Sequence, residues 1–343
     1  MPFTMPAETY KQDRVWMTFP REGQTLGDSI SEREAGYAAW TAVAHAVAQF
    51  APVTMVIDPS ERSRARAMLS GEIEQVERVV DDFWMRDAGP TFVHDDTGAL
   101  AAVDWIFNGW GAADWTSATH DRGMAVFVAG LAGVPVIPSL LVNEGGGIHV
   151  DGEGTVLLTE TVQLDPGRNP HADRARVEAE MTRTLGTTKA IWLPKGLTRD
   201  YDMFGTRGHV DIVATFSAPG RVLVHDQRDP GHPDHAVSQE IMTQLAAETD
   251  ARGRPLEVIA LPAPARLRDA HGPVDYSYVN HLVCNDGVIA CAFGEPEADQ
   301  RAAEILAAAY PGRRVVSIDA RELFARGGGI HCITQQQPAA RLS

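Results

Sequence analysis

Apolar and polar positions along the chain follow two rhythms, one of helical period and one of strand period, and their succession repeats. Tyr37, Trp40, Ala44 and Val47 share one helical face behind Ser31 and Glu34, which have the spacing of a capping box. The apolar run VTMVID at 53–58 follows and reads as a strand. The same helix-then-strand order recurs four more times. Residues 172–185, stopped by Gly186, precede KAIWLP; 235–248 precede LEVIALP; 297–309, closed by Pro311 and Gly312, precede RVVSID. The weakest copy, 117–131, precedes VPVIPSLLV.

Four β-rich stretches lie between these units: TFVHDDTGALAAVDW, HVDGEGTVLLTE, HVDIVATFSAPGRVLVHD and VNHLVCNDGVIACAF. Each sets a Gly-containing turn between apolar runs, which predicts a hairpin. Some of the repetition is literal. GGGIH occurs at 145–149 and 327–331, 182 residues apart, and HVD at 149–151 and 209–211, 60 apart. A unit of about 60 residues accounts for both offsets. Five such units without a linker-like break in composition predict one closed, pseudo-symmetric α/β domain over residues 1–343, with equivalent strand ends converging on a shared pocket.

Composition narrows the function classes. The 343 residues are 44% hydrophobic and 22% charged, as in an ordinary globule, which excludes fibre and disorder. Thirty Lys and Arg against 46 Asp and Glu give a net charge of −16, which argues against nucleic acid or an anionic membrane as the main partner and favours a small cation. Three cysteines, Cys284, Cys291 and Cys332, are too few for a disulfide framework and fit a reducing compartment. Met1–Tyr10 lack the pattern of a secretory signal, and the longest apolar run, 125–142, is broken by Gly130, Gly133, Pro135, Pro138 and Ser139. A cytoplasmic enzyme, with a homo-oligomer left open, is the expectation.

Aligning the repeats brings Asp87, Glu144, His209, Asp211 and Cys332 to equivalent places: a thiol, an imidazole and carboxylates able to anchor a cation. Each has a plainer alternative. Cys332 after three glycines is either a nucleophile whose thiolate gains from free N–H groups or a small buried residue. His209 and Asp211 at i, i+2 are either a pair or a scaffold echo of His149 and Asp151. Asp87 beside Arg86 could be an ion pair, and Glu144 beside three glycines a turn cap. Cys284 and Cys291 flank a hairpin turn and read as core. Metal-ligand spacings and nucleotide-binding loops are missing, so no metal and no cofactor are expected.

The motifs WMRDAGPTFV, FNGWG, NEGGGIHVDGEGTVLLTE, GHVDIVATF and GGGIHCITQQQP together resemble the agmatine deiminase and bacterial peptidylarginine deiminase family of the guanidine-modifying superfamily. The resemblance runs in order from MPAETYKQDRVWMTFP to the final QQQP. It implies a pseudo-five-fold α/β propeller, the pentein fold, and a cofactor-free deiminase. By motif position Cys332 would be the nucleophile, His209 the acid and base, and Glu144 its orienting partner. Asp87 and Asp211 would grip the guanidinium, and Trp84 would wall the pocket. Agmatine hydrolysis is the first expectation. Deimination of another free or peptidyl guanidine, amidino transfer, and guanidine or polyamine binding without turnover stand as alternatives.

Overall fold

The computed structural model describes residues 3–269 and 272–341. The first long helix, Ile30–Val47, forms where Tyr37, Trp40, Ala44 and Val47 demand it, and all four are buried. Its cap differs from the expected one. Two Ser-x-x-Glu pairs overlap here, and the structure uses Ser29 with Glu32 rather than Ser31 with Glu34. Ser29 takes the extended backbone a cap requires, at φ −88° and ψ 155°, which leaves Ser31 inside the first turn. Helix Arg174–Leu185 stops where Gly186 adopts the left-handed φ of 71°. Helices Asp234–Ala246 and Pro296–Ala309 lie close to their predicted spans. The weak copy becomes a short 3-10 turn, Asp121–Gly123, running into Met124–Ala132.

Among the described residues, five sheets repeat one topology: a leading strand, an antiparallel second strand, and a third strand parallel to the second. Leading strand Thr91–Asp95 pairs with Leu100–Ile106, which pairs with Val136–Val142. Ile148–Val150, Thr155–Thr159 and Lys189–Leu193 form the next sheet. Ala214–Ala218, Arg221–Asp226 and Glu257–Pro262 follow, then Leu282–Val283, Gly287–Ala292 and Arg314–Asp319. In each sheet the helix returns the chain between second and third strands, as parallel neighbours require. The fifth sheet joins the two ends of the chain: Thr334–Pro338 leads, antiparallel to Gln12–Thr18, which is parallel to Val53–Ile57. Those first two strands carry no hairpin signal because their partners are more than 300 residues apart, Thr334 opposite Met17.

The literal repeats are out of structural register. Leading strands begin at Ile148 and Ala214, an offset of 214 − 148 = 66 rather than 60. Thr334 gives 334 − 148 = 186 rather than 182. His149 therefore lies in a strand, whereas His209 precedes the 3-10 turn Val210–Ile212. Repeat counting gave the number of units, but identical letters did not mark equivalent positions.

Leading strands are buried almost end to end, even the polar Gln335, Gln336 and Gln337. The turns feeding those strands are drawn into the interior with them. One large apolar cluster and two smaller ones pack around these strands and seal the turns from water.

Candidate active site

Every group with reactive chemistry singled out in the sequence lies two to five residues before a leading strand. Asp87 sits in the short helix Met85–Ala88 ahead of Thr91, and Glu144 opens the turn Gly145–Gly147 ahead of Ile148. His209 and Asp211 precede Ala214, and Cys332 precedes Thr334. All five side chains are at most 4% exposed.

Their contacts divide the cluster into two halves. His209 Nε2 lies 3.2 Å from Glu144 Oε2, and the Arg168 guanidinium holds both Glu144 oxygens at 3.0 Å. Burial raises the Glu144 carboxyl, but the Arg168 charge and then His209 hold it below its ordinary range. Burial would discharge His209. The carboxylates of Asp87, Glu144 and Asp211 outweigh it and raise the ring to about 9, so it is an imidazolium at neutral pH. Its other nitrogen, Nδ1, is buried without a partner among the described residues and lies 3.8 Å from Asp87 Oδ1.

In the other half, Cys332 Sγ receives the Asn280 side-chain N–H at 3.2 Å and lies 3.6 Å from Asp211 Oδ2. Asp211 Oδ2 also meets His331 Nδ1 at 2.7 Å, while Asp211 Oδ1 is buried and unpartnered. Asp87 accepts from Trp110 Nε1 at 2.9 Å and from the Gly146 N–H at 3.1 Å. Burial pushes the Asp87 carboxyl up to about 6, since the like charges of Asp211 and Glu144 offset part of the help from His209. Gly146 lets the backbone come close to all three groups. A Cβ there would stand 2.5 Å from His209 Nδ1 and 3.0 Å from both Asp211 Oδ2 and Asp87 Oδ1. Trp84 lies against the nucleophile loop, where a Cβ on Gly328 would meet its ring at 2.7 Å and Cys332 Sγ at 3.0 Å.

One expectation is corrected here. The glycines before Cys332 do not give a resting thiolate: burial, then the charges of Asp211 and Asp87, raise its thiol well above the ordinary value, against weaker help from the Gly329 N–H and Asn280. Cys284 and Cys291 are core residues, with thiols pushed by burial to about 12. The sequence reading missed Asn280, Arg168, Trp110 and Asp200. Asn280 precedes Leu282 as Asp87 precedes Thr91, so its place before the leading strand of the fourth sheet marked it. Trp110 lies in the FNGWG motif, whereas Arg168 follows a helix with no distinguishing pattern. Asp200 accepts the backbone N–H groups of Thr206, Gly208 and His209 and so fixes the loop carrying the imidazole.

Two loops with strained backbone cover the site. Among the described residues the non-glycine positive φ angles fall at Trp110, Ala112, Phe204 and Arg207. Trp110 stacks on Trp115 at 5.0 Å, and Trp115 meets Phe204 edge-on at 5.3 Å, so the loops hold each other by aromatic contact.

Five like sheets, with a thiol, an imidazole and paired carboxylates on the turns between them, define the guanidine-modifying class of α/β proteins. A Streptomyces coelicolor relative is 57% identical over 339 residues, covering 98% of this chain and 99% of its own. The agmatine deiminase of Pseudomonas fluorescens is 39% identical over 362 residues, covering 98% and 96%. The solved agmatine deiminase of Enterococcus faecalis superposes with a TM-score of 0.91 at 34% identity, over 99% of this chain and 97% of that one. The model of the Porphyromonas-type peptidyl-arginine deiminase family matches residues 4–338, and the chain belongs to that family.

Proposed function

We propose that the chain is an agmatine deiminase that hydrolyses agmatine to N-carbamoylputrescine and ammonia, working as one propeller-like domain over residues 1–343. The observation that carries this reading is the pair of orphaned buried atoms, Asp211 Oδ1 and His209 Nδ1, beside a thiol. Other buried atoms among the described residues also stand without partners, but these two are gathered with a thiol and like-charged carboxylates, a grouping that suits a cationic ligand. A planar cation with several N–H donors, set between Asp87 and Asp211, supplies donors to the open oxygen and neutralises two like charges. Relatives named agmatine deiminase across the whole chain support the choice of guanidine.

The sequence of steps follows from the proton positions. Arrival of the guanidinium cancels the charges that hold the Cys332 thiol protonated, and the thiol proton is released. Sγ then attacks the guanidinium carbon. His209, already an imidazolium, gives its proton to the departing nitrogen; the C–N bond breaks, ammonia leaves, and a thiouronium cation remains on Cys332. The neutral ring, held by Glu144, takes a proton from water as its oxygen attacks the same carbon. The tetrahedral hydroxyl sheds its proton as the C–S bond breaks and the thiolate returns; Cys332 takes a proton back from solvent as the product leaves, and the hydroxyl's proton is the one that turns the released ammonia into ammonium. Trp84 and Trp110 would wall the pocket and exclude bulk water.

A cavity of about 200 Å³ adjoins the loops carrying His209 and Cys332, lined by Asp202, Asp275, Phe204, Phe324 and Gly327 among others. Its aspartates, Asp200, Asp202 and Asp275, outnumber the one guanidinium in the lining, Arg199, which is paired with Asp269, so the cavity suits an amine-tailed substrate better than the α-carboxylate of arginine. Ammonia release should therefore favour agmatine over arginine by at least ~10-fold in kcat/KM. Equal rates, or a preference for a blocked arginyl peptide, would overturn the choice of substrate. No release from any guanidine would leave a binding protein.

A further inference from the structure

His331 immediately precedes the nucleophile, yet the reaction above gives it no task. Its ring is buried between two carboxylates: Nδ1 is 2.7 Å from Asp211 Oδ2, and Nε2 is 2.8 Å from Glu8 Oε1. A neutral imidazole has a single N–H, so with two ionised carboxylates one contact would set a ring lone pair against an anionic oxygen. An imidazolium satisfies both contacts with charge-assisted bonds. Glu8 is itself fixed, with Arg86 Nη1 at 3.5 Å and His149 Nε2 at 3.7 Å. Arg86 in turn is tied to Gln336 at 2.8 Å and to the His331 carbonyl at 3.2 Å.

The charged and titratable groups facing His331 come from every unit packed around it. Asp211 comes from the turn before Ala214, Arg86 from the short helix before Thr91, and Glu8 from the N-terminal segment. His149 lies in the strand Ile148–Val150 with ring centroids 6.4 Å apart, His281 precedes Leu282, and Cys332 is adjacent in the chain.

We propose that Glu8 and His331 are positioning residues of this site: Glu8 fixes His331 as an imidazolium, and His331 keeps Asp211 ionised with Oδ2 tied to the ring and Oδ1 left without a protein partner among the described residues. The electrostatics agree with the geometry. Burial would raise the Asp211 carboxyl, but the bond and charge of His331, ahead of His209 and Arg86, hold it below its ordinary range. Burial and Arg86 act to discharge His331, and Glu8 with Asp211 overcome them. A fixed imidazolium here presents a charged carboxylate to an arriving cation while placing no titrating group beside the thiol at working pH.

The inference rests on reading Asp211 as a guanidinium contact, so its test includes a measurement that needs no substrate. Nitrogen NMR of histidine-labelled, ligand-free protein should show both ring nitrogens of His331 protonated at neutral pH, where an ordinary histidine is largely neutral, with the signal assigned by its loss in His331→Asn. In Glu8→Gln the ring keeps one carboxylate and should lose its proton at a lower pH than in the parent. The corresponding kcat/KM profile should be near that of the parent at the acid end and fall as pH rises, at a lower pH than the parent's own alkaline limb. In His331→Asn the Asp211 carboxyl loses the partner that holds it low, so the acid limb should move to higher pH, with KM rising more than kcat changes. A neutral, singly protonated His331 ring in the parent protein overturns the proposal, as does a Glu8→Gln loss of equal factor at every pH. If the ring behaves as expected but no guanidine is turned over, the substrate reading fails and the imidazolium stands.

Discussion

Replacing Asp87 by Asn should damage catalysis and stabilise the fold, and the two effects should separate with pH. Asp87 is 4% exposed, and its carboxyl is pushed from an ordinary 3.8 to about 6, chiefly by burial. A carboxyl whose folded value lies above its unfolded value is disfavoured in its ionised form, so folding costs free energy above about pH 6 and nothing below about pH 4. The shift of 6 − 3.8, about 2.2 pH units at 1.36 kcal/mol each, is about 3 kcal/mol at neutral pH. Asn removes that cost. Its single oxygen cannot accept from both Trp110 Nε1 and the Gly146 N–H, which returns about 1 kcal/mol. With an unfolding entropy of about 2.1 cal/mol/K per residue, a net 2 kcal/mol corresponds to a Tm rise of about 3 °C. Melting Asp87→Asn and the parent side by side from pH 4 to 8 tests this: the variant should gain as pH rises through 6 and show no advantage at pH 4. Its kcat/KM should fall at least ~100-fold, since a charge partner of the guanidinium becomes a donor. A variant less stable than the parent at pH 8, or a gain that ignores pH, would refute the view of Asp87 as a carboxylate held in strain for a cation.

Cys332→Ser should lose turnover by orders of magnitude and still fold, whereas Cys284→Ser and Cys291→Ser should keep substantial activity; ammonia release from the three variants decides it. The pH profile of kcat/KM should be bell-shaped. It falls below about pH 6 as Asp87 gains a proton and above about pH 9 as His209 loses the one it delivers. Gly146→Ala should abolish agmatine binding by calorimetry at unchanged expression, because its methyl group would press on His209 Nδ1 and on both aspartates.

The fold was legible where signals are local. Hairpins announced themselves through glycine turns between apolar runs, and helices through period and caps, so five units could be counted. Pairings between chain ends carry no such signal, and the strand Gln12–Thr18 had none to offer. Asp87, Glu144, His209, Asp211 and Cys332 were found through motif order and are brought together by the fold. Asn280 was within reach, had the turn before each leading strand been compared rather than matching tripeptides. Glu8 and Arg168 were not, because a glutamate near one end and an arginine after a helix look like solvated surface until burial is known.

The sheet that joins the chain's two ends also sets a timetable. Cys332 stands on the turn into Thr334–Pro338, whose partner Gln12–Thr18 is made at the start of synthesis. At about 5–20 residues per second the ribosome needs roughly 17–70 s to reach the thiol, and until then the N-terminal strand waits with an unpaired edge. A nascent chain therefore holds its carboxylates and imidazole but no nucleophile. Long-range closure of this kind slows folding and exposes the early strand to wrong partners, so chaperone dependence during synthesis should concentrate on Gln12–Thr18. Chemistry begins only once Thr334–Pro338 has paired with Gln12–Thr18, the step that seats Cys332 beside Asp211 and Asn280.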